Sequence, residues 1–202
     1  MAIEKLSREH SDFHVRGGLQ YVGITEFSNI TSGSYPSEGI FTSTAGNHSV
    51  DLQQESDGVD LTFRLFEAKQ GSASFTQSGT KEGTTITYEQ TVSLFIPNVD
   101  MEALSALDKL ENENLAVLAI TFSGEKLVLG VSELFKNISD VCNINNYARM
   151  TALEVSSGAA LGDDNGVTLT LSCNSQELVR TLSSTVAINS SDSTGTLVVA
   201  SH

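Results

Sequence analysis

Positively charged residues are scarce in this sequence of 202 residues. It has 11 lysines and arginines against 25 aspartates and glutamates, which gives a formal net charge of −14. A chain with this balance repels a phosphate backbone, so the composition argues against a protein that binds duplex nucleic acid through a basic face. The same negative charge keeps a concentrated protein soluble, which is the simpler explanation for it.

Metal ligands and disulfide partners are also scarce. Cys142 and Cys173 are the only cysteines, and His10 and His14, four residues apart, have no further histidine or cysteine nearby. We therefore expect two buried free thiols in place of a disulfide, and no zinc site. Asp163–Gly166 offers oxygen ligands, but it lacks the alternating ligands and distant glutamate of an EF-hand loop, and its composition favours a tight turn.

Catalytic motifs are missing. The sequence contains no Gly-x-Ser-x-Gly, no His-Glu-x-x-His and no phosphate-binding glycine loop. Neither a nucleophile paired with a base nor a set of acids and bases can be recognised. We therefore expect a protein that is not an enzyme and that needs no cofactor and no metal.

Long apolar runs do not occur either. A membrane-spanning helix needs about 18 or more consecutive apolar residues, and the sequence has no such run. Met1–His10 is charged throughout and lacks the apolar core of a secretion signal. These features predict a protein that stays in a cytoplasm unless it is carried out as part of something larger.

The stretch that is best specified runs from Thr84 to Val131. Apolar side chains at alternate positions predict a strand that ends at Pro97, because proline cannot donate to a ladder. Asp100 can then cap a helix over Met101–Leu110, whose apolar residues recur at a spacing of three. The alternating strand residues are Ile86, Tyr88, Val92, Leu94 and Ile96, and the helix stripe is Met101, Leu104, Leu107 and Leu110.

Two further strands follow this helix. Leu115–Phe122 is apolar on both faces, which predicts a central strand that is covered on both sides. After the turn at Ser123–Lys126, Leu127–Gly130 is expected to be its antiparallel partner. This helix and these strands predict a β-domain with one packed helix.

The rest of the chain completes one domain with an arm at each end. We expect a first strand over Leu19–Phe27, and a second hairpin from Met150–Ser157 and Val167–Cys173, with Leu178–Leu182 closing the domain. The predicted fold is mainly β: an antiparallel β-sandwich or barrel with one short packed α-helix, a long protruding hairpin and extended terminal arms. The domain covers residues 17–182, and the arms are residues 1–16 and 183–202.

The long hairpin is predicted over residues 59–96. Its tip, Gln70–Gly83, is rich in glycine, serine and threonine, with Phe75 as its only large apolar residue. An isolated two-stranded ribbon is marginally stable in water, so we expect the tip to order by adding to a neighbour's sheet. The predicted subunit contacts are Phe75, Thr76, Gln77, Ser78 and Thr80 in the hairpin and Leu197, Val198 and Val199 in the C-terminal arm.

The order of these features resembles the tube subunits of bacteriophage tails, which are the major tail proteins, and the inner-tube proteins of contractile injection systems. The likeness covers roughly residues 17–175 and is one of architecture, without a signature motif. It depends on the early strand at Gly17–Val22, the hairpin ending in Thr87–Pro97, the short helix after it, Lys126–Gly130, and the late hairpin ending in Gly166–Leu171.

This resemblance implies a structural virion protein that forms hexameric rings. The rings stack into a tail tube that conducts DNA without binding it specifically. It also implies that the partners are further copies of the chain and other tail proteins, and that assembly takes place in the host cytoplasm. An acidic lumen suits this role, because each cationic contact would add affinity for DNA.

Two other classes of protein share the same composition. A capsid decoration or head–tail connector protein would also be small, acidic, rich in β-structure and without catalytic residues. A β-sandwich adhesin or fibre module would look similar, but it should carry a signal peptide. Rings or tubes seen by electron microscopy would separate the tail tube from both alternatives.

Overall fold

The computed structural model describes residues 17–31, 49–50, 61–66, 71–98, 101–131, 147–158, 164–182, 185–189 and 195–199. Over these residues the chain is built almost entirely of strands, with two short helices. In chain order the elements are β1 (Leu19–Glu26), α1 (Ser28–Thr31), β2 (Ser49–Val50), β3 (Leu61–Phe66), β4 (Ser74–Glu82), β5 (Thr85–Pro97), α2 (Met101–Leu110), β6 (Leu115–Thr121), β7 (Lys126–Leu129), β8 (Arg149–Ser156), β9 (Gly166–Ser175), β10 (Arg180–Leu182), β11 (Val186–Asn189) and β12 (Thr196–Val199).

The strands form two sheets, and every pairing except the short one between β10 and β2 is antiparallel. The first sheet has eight strands in the order β11-β12-β3-β1-β6-β7-β10-β2 and is curled. The second sheet has four strands in the order β4-β5-β9-β8. A mainly β, antiparallel fold was predicted from the sequence, and the structure confirms it.

Strand β6 is the centre of the first sheet, between β1 and β7. All five residues from Leu115 to Ala119 are buried. Leu115, Val117 and Ala119 lie in one apolar core, and Ala116 and Leu118 lie in another on the opposite face of the sheet. This double burial explains the unbroken apolar run and confirms the prediction of a central strand covered on both sides.

The first core lies between the two sheets. Side chains from β1, β6 and β7 meet those from β5 and β9, and α2 packs against them through Leu107, which is buried, and Leu104, which is half-buried. The helix occupies the residues that the apolar spacing predicted. No described helix is long and apolar enough to span a membrane.

The second core lies on the other face of the curled first sheet. Phe63 of β3 and Leu197 of β12 are fully buried there, over Gly23 of β1. A Cβ atom at Gly23 would lie 2.8 Å from both Leu197 Cδ1 and Phe63 Cβ. A larger residue at this position would force Leu197 or Phe63 to shift, so glycine allows both side chains to pack directly over β1.

The prediction of one hairpin over residues 59–96 is wrong. Strand β3 pairs with β1 and β12 in the first sheet, whereas β5 pairs with β4 and β9 in the second. The stretch taken as a polar tip, Gln70–Gly83, contains β4, and the hairpin turns at Gly83 and Thr84. Its alternation of polar and half-buried side chains is that of an edge strand, which few apolar residues reveal.

The prediction of a C-terminal arm over residues 183–202 is also wrong where the structure describes it. β11 and β12 form a hairpin, and β12 pairs with β3 within the same chain. The apolar side chains at 197 and 199 alternate into the second core, which fixes this segment to the domain. The N-terminal arm, the cap at Asp100 and residues 159–163 of the second hairpin loop lie outside the described residues.

Candidate functional site

The second sheet has two chemically different faces. Along β5 and β9, Val92, Leu94, Leu169 and Leu171 point into the first core and are fully buried. The alternate positions form the outer face, where hydroxyl side chains predominate on β4, β5 and β9. Its residues are Ser74, Thr76, Ser78, Thr80, Glu82, Thr85, Thr87, Glu89, Thr91, Ser93, Phe95, Thr168, Thr170, Ser172, Asn174, Arg149, Ala152, Glu154 and Ser156.

Charge on the outer face is mainly negative. It carries the carboxylates of Glu82, Glu89 and Glu154, and all three residues are exposed. Arg149 is its only cation among the described residues, and its guanidinium donates from Nε and Nη2 to Asn114 Oδ1, at 3.3 and 3.1 Å. The face is therefore hydrated, weakly acidic and without a basic cluster.

The second sheet has two open edges. Among the described residues β4 pairs only with β5, and β8 pairs only with β9. The edges are nine and eight residues long. Open edges of this length present rows of unpaired N–H and C=O groups, which favour pairing with another strand.

Edge strand β8 also carries two large apolar side chains that are exposed. Leu153 and Val155 stand opposite Leu169 and Val167 of β9 and share their face of the sheet. The two β9 residues are buried, whereas Leu153 and Val155 are 40% and 54% exposed. On β8 only Met150 packs against the first core, and Leu153 and Val155 project beyond it.

Strands β4 and β5 extend past the end of β9 as a two-stranded ribbon. The last pair between β5 and β9 is Tyr88 with Ser175, and the ribbon continues to the turn at Gly83. Tyr88 lies over Gly79, whose added Cβ would be 2.9 Å from the ring. A protruding hairpin is thus present, although it begins at Ser74 and not at residue 59.

A polar clamp, defined by Gln77, Gln90, Cys173, Glu177 and Val179, closes the first core below this ribbon. Gln77 and Gln90 are cross-strand partners on the inner face. Gln90 Nε2 donates to the Glu177 carbonyl at 3.1 Å, and Gln77 Oε1 accepts from the Val179 amide at 3.1 Å. The two amides hold the connection from β9 to β10, which links the two sheets.

The clamp contains a free thiol. Cys173 is buried, and its Sγ donates to Gln90 Oε1 at 3.4 Å. Burial raises the pKa of this thiol from 9.0 to about 11, against a smaller opposing effect of a hydrogen bond with the Gly130 backbone. A thiol with this pKa stays protonated and unreactive at neutral pH. The prediction of a free thiol is confirmed for Cys173, while Cys142 lies outside the described residues.

The predicted contact residues of the hairpin separate onto two faces. Thr76, Ser78 and Thr80 are exposed on the outer face of edge strand β4. Phe75 and Gln77 lie on the inner face, and Phe75 packs against the first core of its own chain. Phe75, predicted as a subunit contact, therefore has packing within its own chain, although this side chain is only half-buried.

The predicted contact residues of the C-terminal segment lie in the first sheet, away from the second. Leu197 and Val199 are fully buried in the second core, and Val198 is half-buried opposite Thr62. In this fold Leu197 and Val199 are occupied within their own chain. Only Val198 keeps an exposed part that a second subunit can contact.

The open edge at β8 was not singled out from the sequence. Met150, Leu153 and Val155 alternate less regularly than usual because a bulge separates Met150 from Ala152. Their pattern is that of any half-buried strand, and it does not indicate whether the strand has a neighbour on both sides or lies at the edge of a sheet.

The described residues contain no cluster of three or more histidine, cysteine, aspartate or glutamate side chains that could hold a metal ion. Comparisons of the chain with family models, with curated proteins and with solved structures found no match in any of the three.

Proposed function

We propose that the protein is a structural subunit of a bacteriophage tail tube, in which copies join into rings and the rings stack into a conduit for DNA. The observation that carries this proposal is the outer face of the second sheet, a broad hydroxyl-rich surface between two open edges. The hexameric ring is taken from the resemblance described above.

The chemistry of the outer face suits the wall of a conduit. Its serines and threonines keep the surface hydrated, and its carboxylates repel phosphates. Each cation on such a wall would add salt-dependent affinity for DNA and slow its passage. Arg149 is the one cation of the face among the described residues, and it already donates to Asn114.

The open edges support self-assembly. A head-to-tail contact between two different edges of one sheet is a heterologous interface, which generates a ring when the rotation closes. Pairing of the edges would continue the second sheet from copy to copy and keep its outer face on one side of the ring. A wall built in this way has no edge left within the ring.

Electron microscopy and analytical ultracentrifugation of the purified chain test this proposal. We expect rings or tubes with an open lumen, in a distribution that shifts towards larger species with protein concentration. A chain that remains monomeric at millimolar concentration, and that fails to associate with purified tail components, would refute the proposal. Monomers that instead bind to capsids would favour the decoration or connector protein.

Passage of DNA is tested separately from assembly. Replacing two outer-face threonines with lysine, as in Thr76→Lys with Thr87→Lys, should leave rings intact and create affinity for DNA that falls with added salt. The matched control places the same lysines on exposed positions of α2, Ser105→Lys and Asp108→Lys. If both pairs retain DNA equally, the outer face does not line a lumen.

A further inference from the structure

We propose that the connection from β9 to β10, residues 176–179, is a strap that opens and closes as a unit while both sheets stay folded. The closed strap joins the base of the protruding ribbon to the first sheet. The open strap releases that contact and admits solvent to Cys173. This inference goes beyond the proposed function and does not depend on it, because every contact that carries it lies within one chain.

The backbone of the strap is held by side chains. The Glu177 amide donates to Ser175 Oγ at 3.0 Å, and the Glu177 carbonyl accepts from Gln90 Nε2 at 3.1 Å. The Val179 amide donates to Gln77 Oε1 at 3.1 Å. The strap lies between the end of β9 and the start of β10, outside both ladders. These bonds can therefore break without disturbing the pairing of β9 with β5.

Little apolar surface holds the strap closed. Leu178 is 45% exposed. Val179 packs against the first core, but it is only half-buried. The stabilisation from apolar burial scales with the area removed from water, so it is small here. Segments with few buried apolar contacts are the ones that open at a lower free energy than the whole domain.

The closed strap also leaves a polar group unpaired in the polar clamp. Gln77 Nε2 is buried and has no hydrogen-bond partner among the described residues, while Oε1 of the same amide is held by Val179. A donor that has left water without gaining a partner raises the free energy of the closed state. Opening returns this group to water. The amide that fastens the strap therefore also lowers the cost of opening it.

An ion pair opposes opening. Arg180 Nη2 lies 2.8 Å from Glu177 Oε2, and Nε of the same guanidinium donates to that oxygen at 3.2 Å. Arg180 belongs to β10, which pairs with β7, so the ion pair ties the strap to the first sheet. The two side chains are 14% and 8% exposed, and burial strengthens such a charge-assisted pair relative to one on the surface. Removing its charge should shift the balance towards the open strap.

Opening of the strap uncovers Cys173. The thiol donates to Gln90 Oε1 at 3.4 Å, and Nε2 of the same amide donates to the strap at Glu177. These contacts lead from the first core to the exposed residue Leu178 at the surface. Solvent therefore reaches the thiol when the strap lifts, and access to the thiol reports on the strap.

Thiol labelling of the native chain tests the strap. The assay uses the Cys142→Ser chain, in which Cys173 is the only thiol, and an excess of an aromatic disulfide reagent. Burial raises the pKa of the covered thiol to about 11, so the thiol is inert while the strap is closed. The labelling rate should depend little on urea at low concentration, because opening the strap exposes far less surface than global unfolding.

Glu177→Gln removes the charge from the ion pair and keeps the size of the side chain. We expect it to speed labelling by about tenfold or more, the effect of losing a hydrogen bond between charged groups. Glu89→Gln is the matched control and should leave the rate unchanged, since Glu89 is an exposed carboxylate on the outer face of β5. Equal rates in the two variants, or labelling with the urea dependence of global unfolding, would overturn the proposal.

Hydrogen exchange of the unaltered chain gives an independent reading if the Glu177 variant does not fold. The amides of Glu177 and Val179 should exchange together, about tenfold or more faster than the amides of Leu169 and Leu171 in the middle of the second sheet. Equal protection of the strap and the sheet would mean that the strap opens only with the whole domain, and it would overturn the proposal.

Discussion

Strands β6 and β8 have similar lengths and similar apolar residues, but they lie in opposite environments. β6 has a strand on each side and a core on each face, and its residues from Leu115 to Ala119 are all buried. Among the described residues β8 has one neighbouring strand, and within β8 only Met150 is as much as half-buried. Leucine and valine side chains therefore stabilise the domain in β6, whereas in β8 they remain available to contact another surface.

The largest expected effect comes from replacing one leucine with alanine in each of the two strands. Leu118→Ala in β6 should lower the free energy of unfolding by about 2–5 kcal/mol, because it leaves a cavity in the second core. Leu153→Ala in β8 should cost less than about 1 kcal/mol in the monomer, since this residue is 40% exposed and not part of a closed core. Urea unfolding at low protein concentration measures both. Equal losses would contradict the contrast between the two strands.

A second test adds volume where the first removes it. Gly23→Ala should destabilise the chain by about 1–3 kcal/mol, because the new Cβ would meet Leu197 and Phe63 at 2.8 Å. Gly17→Ala is the matched control, since nothing lies within 4 Å of its Cβ position. Thermal unfolding should separate the two variants clearly. A Gly23→Ala protein as stable as the control would mean that the curled sheet relaxes easily.

The third test asks whether the covered part of the inner face excludes water. Cys173 has a folded-state pKa raised from 9.0 to about 11 by burial. Stability from this group is therefore complete below pH 9 and is lost as the pH rises towards 11. By pH 10 the loss should be about 1.4 kcal/mol. In the Cys173→Ala variant, urea unfolding at pH 8 and pH 10 should show a smaller loss by that amount.

The smallest expected effect lies in the protruding ribbon. Tyr88→Ala removes a ring that lies over Gly79, and we expect a cost of about 0.5–1 kcal/mol, typical of a cross-strand pair. Thr87→Ala, one residue away on the outer face, is the control and should be nearly neutral. Hydrogen exchange of the Thr80 and Lys81 amides should accelerate only in the Tyr88 variant. Equal acceleration in both would mean that the ring contributes little.

The interior of the domain could be predicted from the sequence because its residues have strong periodic signals. Leu115–Phe122 has apolar residues on both faces, and Met101–Leu110 has one apolar stripe, so burial follows from the pattern itself. The prediction of the strand ending at Pro97 succeeded for the same reason, and the structure ends β5 there. In these elements the pattern of side chains itself indicates which faces are buried.

The edges could not be predicted because their environment depends on distant segments. Phe63 and Val92 belong to equally regular strands, yet one lies in the first sheet and the other in the second. Local alternation says nothing about which sheet a strand joins. In β4 the glycine, serine and threonine content predicts the tip of a hairpin, although strands accept such residues where one face is hydrated.

The position of β12 has a consequence for the order of events in folding. It pairs with β3, so that Leu197 meets Phe63 across most of the length of the chain. The second core therefore cannot close until β12 has left the ribosome, and contacts of such high sequence separation form slowly, on the scale of milliseconds to seconds. Until then Phe63 and Leu118 lack a major part of their cover. Newly made chains thus pass through an interval in which chaperone binding competes with completion of the sheet.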